Sequence, residues 1–280
     1  TGVQTCALPI FADTMIGAIP DQSYTGSAIE PALTVTDGEP NIISANDYEI
    51  SYTNNTGAGT AAATITAAEN GNYSGSASKN FTIVRAQQGV LAITGMPDGD
   101  ITYGQEFTLS TAGGTGGGAV TWQVTGPAVV EENTGKVSIT GVGEVTVTAA
   151  KAGGDNYQDA QAAETFTTVK AQQDAFTITR KPNGEIVYGQ EFTLGAAGGS
   201  GNGTVTWVVT SGAAVVDAST GAVKITGVGN VIITASKAGG DNYQDVQASE
   251  TFSAVKAQQG VLAITGMPDG DIVYGQEFTL

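Results

Sequence analysis

The sequence predicts an all-β chain made of tandem two-layer β-sandwiches, and three observations support this prediction. The stretch YGQEFTL recurs unchanged at 103–109, 188–194 and 274–280. Its spacings of 85 and 86 residues indicate one folding unit copied in tandem. Within each copy, short segments alternate apolar and polar residues, and turn residues interrupt them about every 8–12 positions, as in β-sandwiches.

The repeat sets the expected domain boundaries. We expect a leader over 1–13, a divergent repeat over 14–85, two similar repeats over 86–170 and 171–256, and the start of a further repeat over 257–280. The first repeat shares its ending with the second, because GNYSGSASKNFTIVRAQQ lines up with DNYQDAQAAETFTTVKAQQ. We therefore expect one fold with divergent first halves.

The leader contains VQTCALPI at 3–10, which resembles the translation of a sequencing-library adapter. On this interpretation Cys6 is an artefact and residues 1–10 belong to no fold. The alternative is a natural, disordered leader that follows a preceding linker. In either case we expect this chain to be a fragment of a longer protein.

In the first repeat, segment 24–35 predicts an edge strand or a bulge at Pro31. Segment 47–55 alternates as a half-buried strand does, and strands are also expected at 61–67 and 81–84.

In the second repeat, alternation places one set of side chains inward: Val120, Trp122, Val124, Val145, Val147 and Ala149. The third repeat has Trp207 where the second has Trp122. Its one extra residue lies between Trp207 and Gly221, and we expect it in the turn after the Trp strand, where no register is disturbed.

The joints between repeats are short. The sequences VRAQQ and VKAQQ lead from a last strand almost directly into the next repeat, so we expect restricted swivel and an extended array. The final segment 257–280 holds too few strands to close a core, and we expect its apolar side chains to be poorly buried.

Composition excludes several classes of function. The net charge of −17 comes from 27 acidic and 10 basic residues, and the acids are spread over every repeat. Such a surface repels phosphate backbones, which argues against nucleic acid as a partner. No apolar run is long enough for a membrane span. With no His and one Cys, a Ser-His dyad, a disulfide and a Cys-rich zinc site are excluded within this chain.

Two stretches carry a family resemblance: TGKVSITGVGEVTVTAAKAGGDNYQ at 134–158 and TGAVKITGVGNVIITASKAGGDNYQ at 220–244. They resemble bacterial immunoglobulin-like domains of the group-2 type, found in invasin- and intimin-like surface adhesins. The resemblance covers about 14–280, with the first repeat similar to a related surface repeat. It implies Ig-like β-sandwiches at a bacterial cell surface or in a secreted protein, with no catalytic residues.

Acidic turns are the best candidates for a metal site. Asp98 and Asp100, joined by Asp155 near a joint, could ligate calcium, which requires several oxygen ligands. The third repeat has Asn183 and Glu185 in place of the first two, which weakens a shared site. The alternative is that these are ordinary turn residues. We expect no other cofactor.

Other motifs have structural interpretations that we favour. The loop GGTGGG at 113–118 lacks the Lys and the helix of a phosphate-binding loop. Trp122 and Trp207 are sugar-stacking platforms or core residues, and their alternation with Val favours the core. Tyr157 and Tyr243 are expected beneath turns.

Two functions remain open at this stage. The first is a non-catalytic spacer in which neighbouring repeats hold a distal domain away from the cell. The second is a binding module in which loops 113–118 and 198–203 contact a host protein or a glycan.

Overall fold

The computed structural model describes residues 7–38 and 41–280. They divide into two compact units, the first ending at Val169 and the second beginning at Lys170. Within these described ranges the helical segments are two short 3₁₀ turns, Asp13–Met15 and Ala45–Asp47. None of the helices described has the length and apolarity needed to cross a bilayer. The fold is therefore all-β.

Within the first compact unit, the part up to residue 85 contains one four-stranded sheet with the order β1-β4-β3-β2, and we call this part the first domain. Its strands are β1 Gln22–Ser23, β2 Tyr48–Thr53, β3 Gly59–Ala67 and β4 Ser76–Val84. β1 joins β4 in parallel, and the other pairs are antiparallel. Ala61, Ala63 and Ile65 alternate along β3 and are buried, so one face of the sheet meets the core.

Irregular segments form the second layer of this domain. Segment 24–35 was predicted to be a strand or a bulge, and that prediction is wrong for most of it, since only Val35 forms a β-bridge. Pro31 has no amide hydrogen for a ladder. The polar groups of the segment bond elsewhere: Ile29 N–H donates to the Asn55 carbonyl (2.9 Å), and the Tyr52 hydroxyl donates to the Pro31 carbonyl (2.6 Å).

The described end of the expected leader belongs to the fold, which corrects our expectation for that part of 1–13. Phe11 is 4% exposed and stacks on Tyr73 with ring centroids 4.9 Å apart. Phe11 N–H donates to the Ser74 carbonyl, and Ser74 N–H donates to the Pro9 carbonyl. Burial of the Phe11 ring removes apolar surface from water, which explains why this segment docks on the domain. Cys6 lies outside the described residues.

The remainder of the first compact unit, 86–169, contains a four-stranded sheet, a three-stranded sheet and a two-stranded pair, and we call it the second domain. The four-stranded sheet has the order β6-β13-β12-β9, with β6 Ile101–Thr102, β9 Val120–Thr125, β12 Gly143–Lys151 and β13 Ala160–Val169. The three-stranded sheet has β10 Ala128–Val130, β11 Lys136–Ile139 and β7 Glu106–Thr108. β5 Leu91–Thr94 pairs with β8 Ser110–Gly113.

The core of the second domain lies between these layers. Trp122 is 5% exposed there, and Val145, Val147 and Ala149 are fully buried. The predicted alternation is confirmed for these strands. Trp122 is therefore a core residue, as the sequence indicated.

Within the second compact unit, residues 170–256 repeat this arrangement, and we call this part the third domain. Its strands are β14 Phe176–Thr179, β15 Ile186–Val187, β16 Glu191–Thr193, β17 Gly195–Gly198, β18 Val205–Ser211, β19 Ala214–Val216, β20 Ala222–Ile225, β21 Gly229–Lys237 and β22 Val246–Val255. The sheets have the orders β15-β22-β21-β18 and β16-β20-β19, and β14 pairs with β17. Trp207 is 6% exposed in its core.

The extra residue of the third repeat lies inside a strand, not in the following turn as we expected. Val209 is opposite Ile233 and Ser211 is opposite Ile232, so Thr210 is left between them as a β-bulge. The Thr210 hydroxyl is 2.7 Å from that of Thr234, and this hydrogen bond holds the bulge on the outer face. A bulge at a sheet edge accommodates one residue while the core side of the strand keeps its register.

Residues 257–280, all of them described, contain no strand. Val261 is 97% exposed, Leu262 94% and Phe278 41%. The poor burial predicted for this segment is confirmed.

Candidate functional site

The carboxylates proposed for calcium do not form a cluster. Asp98 and Asp100 are exposed in the bend before β6, and Asp155 is exposed in the turn between β12 and β13. Over 7–38 and 41–280, no group of three or more His, Cys, Asp or Glu side chains is placed to hold a metal ion. The backbone carbonyl of Asp155 instead accepts a hydrogen bond from Arg85 Nε (3.2 Å).

The glycine-rich loop 113–118 is fastened to the domain beneath it. Lys151 Nζ donates to the carbonyls of Gly113 and Gly114, each at 3.3 Å. The Thr115 hydroxyl accepts a hydrogen bond from Gly89 N–H (2.9 Å). In the third domain Lys237 makes the corresponding bonds to two loop carbonyls. Two carbonyls of each loop thus bind a lysine ammonium group of their own domain.

Close backbone contacts explain why this loop needs glycine. A Cβ on Gly113 would lie 2.1 Å from the Val90 carbonyl oxygen, and one on Gly118 would lie 1.8 Å from the Ala152 carbonyl oxygen. Both distances are far below van der Waals contact. Gly203, which corresponds to Gly118, would place a Cβ 1.7 Å from the Ala238 carbonyl oxygen. The same steric requirement therefore holds in both domains.

The joint segment AQQ forms part of the domain that follows it. Ala86 N–H donates to the Asn156 carbonyl, and Gln158 N–H donates to the Ala86 carbonyl, both at 2.9 Å. These bonds form a parallel bridge between Ala86 and Tyr157. Ala171 forms the same bridge with Tyr243. Sequence reasoning treated AQQ as a connector and missed this pairing, although AQQ and DNYQ recur together in the two similar repeats.

The second glutamine of each joint connects the joint to the sheet. Gln88 Nε2 donates to the carbonyls of Lys151 (3.0 Å) and Gln158 (2.9 Å). Gln173 makes the corresponding bonds to Lys237 and Gln244. Two carbonyls of the following domain therefore hold each amide group. The two Oε1 atoms are buried with no hydrogen-bond partner among the described residues.

Within the first compact unit, the turn around Asn156 and Tyr157 also contacts the first domain. Asn156 Oδ1 accepts a hydrogen bond from Ala58 N–H (2.8 Å), just before β3. Tyr157 meets Tyr24 edge to face, with ring centroids 5.4 Å apart. One residue, Arg85, separates the end of β4 at Val84 from the bridged Ala86. The site that the structure builds from these residues is therefore a joint between two domains.

Exposed ion pairs occupy matching places on the three-stranded sheets. Lys136 Nζ is 3.0 Å from Glu106 Oε2, and Lys224 Nζ is 2.9 Å from Glu191 Oε1. The hydrogen bond from Lys136, with another from Ser138, lowers the pKa of Glu106 below its ordinary value. Because both pairs face water, each contributes little to stability. Each pair links two neighbouring strands, β7 with β11 and β16 with β20.

The sheets, cores and joints define the class: an all-β protein of tandem Ig-like β-sandwich domains. No family model and no curated protein matches the sequence.

Among solved structures, the chain is similar to the cis-dimer structure of protocadherin gammaB7 EC3-6, with 13% identity, 85% of this chain and 72% of that chain covered, and a TM-score of 0.31. It is similar to Sidekick-1 immunoglobulin domains 1-4, with 14% identity, coverages of 84% and 74%, and a TM-score of 0.32. It is also similar to Drosophila N-cadherin EC1-3, with 10% identity, coverages of 90% and 99%, and a TM-score of 0.27.

Proposed function

We propose that this chain is a non-catalytic spacer of a bacterial cell-surface or secreted adhesin-like protein, in which tandem domains hold a distal domain away from the cell. The bacterial and extracellular parts of the proposal come from the sequence resemblance at 134–158 and 220–244. The mechanism is mechanical: each domain buries its own core, and short joints connect one domain to the next.

The observation that carries the proposal is the bonded joint. A flexible linker would leave AQQ free in water, whereas Ala86 and Ala171 each form a parallel bridge with the following domain. One residue then remains between a last strand and that bridge, which restricts the conformations available to the connection. The contacts of Asn156 and Tyr157 with the first domain restrict it further.

A binding module remains the alternative, with loops 113–118 and 198–203 contacting a host protein or a glycan. It has less support, because several loop glycines pack closely against backbone of their own domain, and two carbonyls of each loop accept hydrogen bonds from Lys151 or Lys237. A loop shaped for a ligand would instead direct free polar groups outward.

Deletion of residues 86–170 tests the proposal, since AQQ occurs at both 86–88 and 171–173 and the joint is restored by the splice. We expect the maximum dimension from small-angle X-ray scattering to fall by about the length of one domain. The melting temperatures of the remaining domains should stay as they are in the full chain. The full chain should also bind nothing on host-protein and glycan arrays. An array signal that Thr115→Ala abolishes, with thermal stability unchanged, would favour the binding module.

A further inference from the structure

The sequence contains three asparagines that are followed directly by glycine: Asn70, Asn183 and Asn202. This dipeptide favours deamidation, because glycine has no side chain to obstruct attack of its amide nitrogen on the asparagine side chain. The structure gives the three pairs different surroundings. Their rates of deamidation should therefore differ in the folded protein, although their chemistry is the same.

The pair Asn183-Gly184 lies in a bend before β15, where the second domain has Asp98 and Gly99. Both residues of the pair are exposed, and a Cβ on Gly184 would have nothing within 4 Å. Over 7–38 and 41–280, the structure shows no hydrogen bond from the Gly184 N–H or from the Asn183 side chain. The reacting nitrogen and carbon can therefore approach each other while the domain stays folded.

The pair Asn70-Gly71 is held in a bonded turn of the first domain. Gly71 N–H donates to the Ala68 carbonyl (3.0 Å), and a Cβ on Gly71 would lie 2.9 Å from the Asp47 carbonyl oxygen. Asp47 Oδ1 also accepts hydrogen bonds from Asn72 N–H and Asn72 Nδ2, both at 2.9 Å. The peptide between Asn70 and Gly71 cannot rotate for ring closure until this turn opens.

The pair Asn202-Gly203 is held in the glycine-rich loop of the third domain. A Cβ on Gly203 would lie 1.7 Å from the Ala238 carbonyl oxygen, and Ala238 N–H donates to the Thr204 carbonyl (3.1 Å). Lys237 Nζ donates to two carbonyls at the start of the loop. Ring closure would add a carbon atom to the nitrogen of Gly203, and the adjoining backbone leaves little room for it.

We propose that Asn183 is a site of spontaneous deamidation in the folded protein, and that the fold protects Asn70 and Asn202. The Gly184 nitrogen gives its proton to water and attacks Cγ of Asn183. A bond forms between that nitrogen and Cγ, and the side-chain amino group leaves as ammonia after taking up a proton. Water then opens the cyclic imide at either carbonyl, which leaves aspartate or isoaspartate at position 183. Water is the one co-reactant, and nothing is oxidised or reduced.

The product changes the charge of this bend. It adds one negative charge two residues before Glu185 and two residues after Lys181, whose Nζ is 3.2 Å from Glu250 Oε1. Isoaspartate also lengthens the main chain by one carbon shortly before Ile186, which is 1% exposed. Because the bend is exposed and the second domain has Asp98 at this place, aspartate should be accommodated without unfolding the domain.

The experiment compares each pair with itself in two states of the full chain. The chain is incubated at mildly alkaline pH, folded in buffer or unfolded in guanidinium chloride, and peptide mapping by mass spectrometry follows each pair over time. We expect Asn183 to react in the folded chain within roughly threefold of its unfolded rate, because its bend needs no opening. Asn70 and Asn202 should be slowed at least about tenfold by folding, since they react only while their segments are open.

A variant supplies the second measurement. Isoaspartyl methyltransferase labels isoaspartate, and Asn183→Gln should remove most of the labelling of the folded chain. The proposal is overturned if folding slows Asn183 as strongly as it slows Asn70, or if all three pairs react equally fast in the folded chain. Labelling of Asn183→Gln at the wild-type level would also contradict it. The inference does not depend on the spacer function, and none of these results bears on that function.

Discussion

Two adjacent glycines of loop 113–118 should respond in opposite ways to the same substitution. A Cβ on Gly118 would lie 1.8 Å from the Ala152 carbonyl oxygen, whereas one on Gly117 would have nothing within 4 Å. Neither residue has a φ in the left-handed region. Gly118→Ala therefore tests close packing, and Gly117→Ala is its matched control.

The size of the effect follows from what must move. Ala152 N–H donates to the Ala119 carbonyl (3.0 Å), so displacing the Ala152 carbonyl distorts the hydrogen bond beside it. Overpacking costs about 1–3 kcal/mol and a lost hydrogen bond about 1 kcal/mol, so we expect Gly118→Ala to destabilise the second domain by about 2–4 kcal/mol. For a domain of this size that corresponds to a melting temperature lower by about 10–20 °C. Gly117→Ala should be neutral or stabilising by about 0.5 kcal/mol.

Differential scanning calorimetry of the full chain measures both variants, and hydrogen exchange of peptides from β9 and β12 assigns the change to the second domain. Gly203→Ala should repeat the Gly118 result in the third domain, because its Cβ would lie 1.7 Å from the Ala238 carbonyl oxygen. If Gly118→Ala melts like the wild type, the loop is not packed as described and the structural reason for its glycines is refuted.

Three further predictions follow from the first domain, an acidic turn and the calcium candidates. Phe11→Ala should destabilise the first domain by about 3–5 kcal/mol, which would be measured as faster amide hydrogen exchange in β3 and β4. Leu8→Ala, at a residue that is 50% exposed, should have little effect. Equal effects of the two substitutions would contradict the docking of Phe11. Hydrogen bonds from Ser219 and then Thr220 hold the pKa of Asp217 well below its ordinary value. The ionised carboxylate therefore contributes fully to folding stability above about pH 4, and this contribution is lost as the pH falls through the folded-state pKa. The difference in urea midpoint between wild type and Asp217→Asn should therefore shrink on acidification, and a constant difference would argue against it. Calcium should leave the melting temperature unchanged, because Asp98, Asp100 and Asp155 form no metal-binding cluster; a rise reversed by a chelator would show that they do.

The regular part of the fold could be predicted because alternation is a local signal. Trp122, Val145 and Val147 are buried as their spacing indicated. The conformation of segment 24–35 could not be predicted from alternation, because it depends on tertiary hydrogen bonds made by Ile29 and Tyr52. The bulge at Thr210 was not predicted, because aligning two repeats locates an inserted residue only to within a segment. An edge strand accommodates an inserted residue as readily as a turn does.

The joint was harder to predict than the cores. The pairing of Ala86 with Tyr157 joins residues 71 positions apart, and no local pattern connects them. The repetition of AQQ with DNYQ was the available signal, because segments that recur together at a fixed separation often contact each other. The contact of Asn156 with Ala58 depends on the shape of a hairpin end in another domain, which composition and periodicity do not encode.

The bonded joint is the central claim, and amide hydrogen exchange measured by NMR tests it most directly. The amides of Ala86, Gln158, Ala171 and Gln244 donate the hydrogen bonds that fasten the two joints. We predict protection comparable to that of the neighbouring strands β12 and β21, since these amides should open only when their domain does. Exchange at the rate of an unstructured peptide at all four positions would mean that the joints are free linkers, and it would contradict the account.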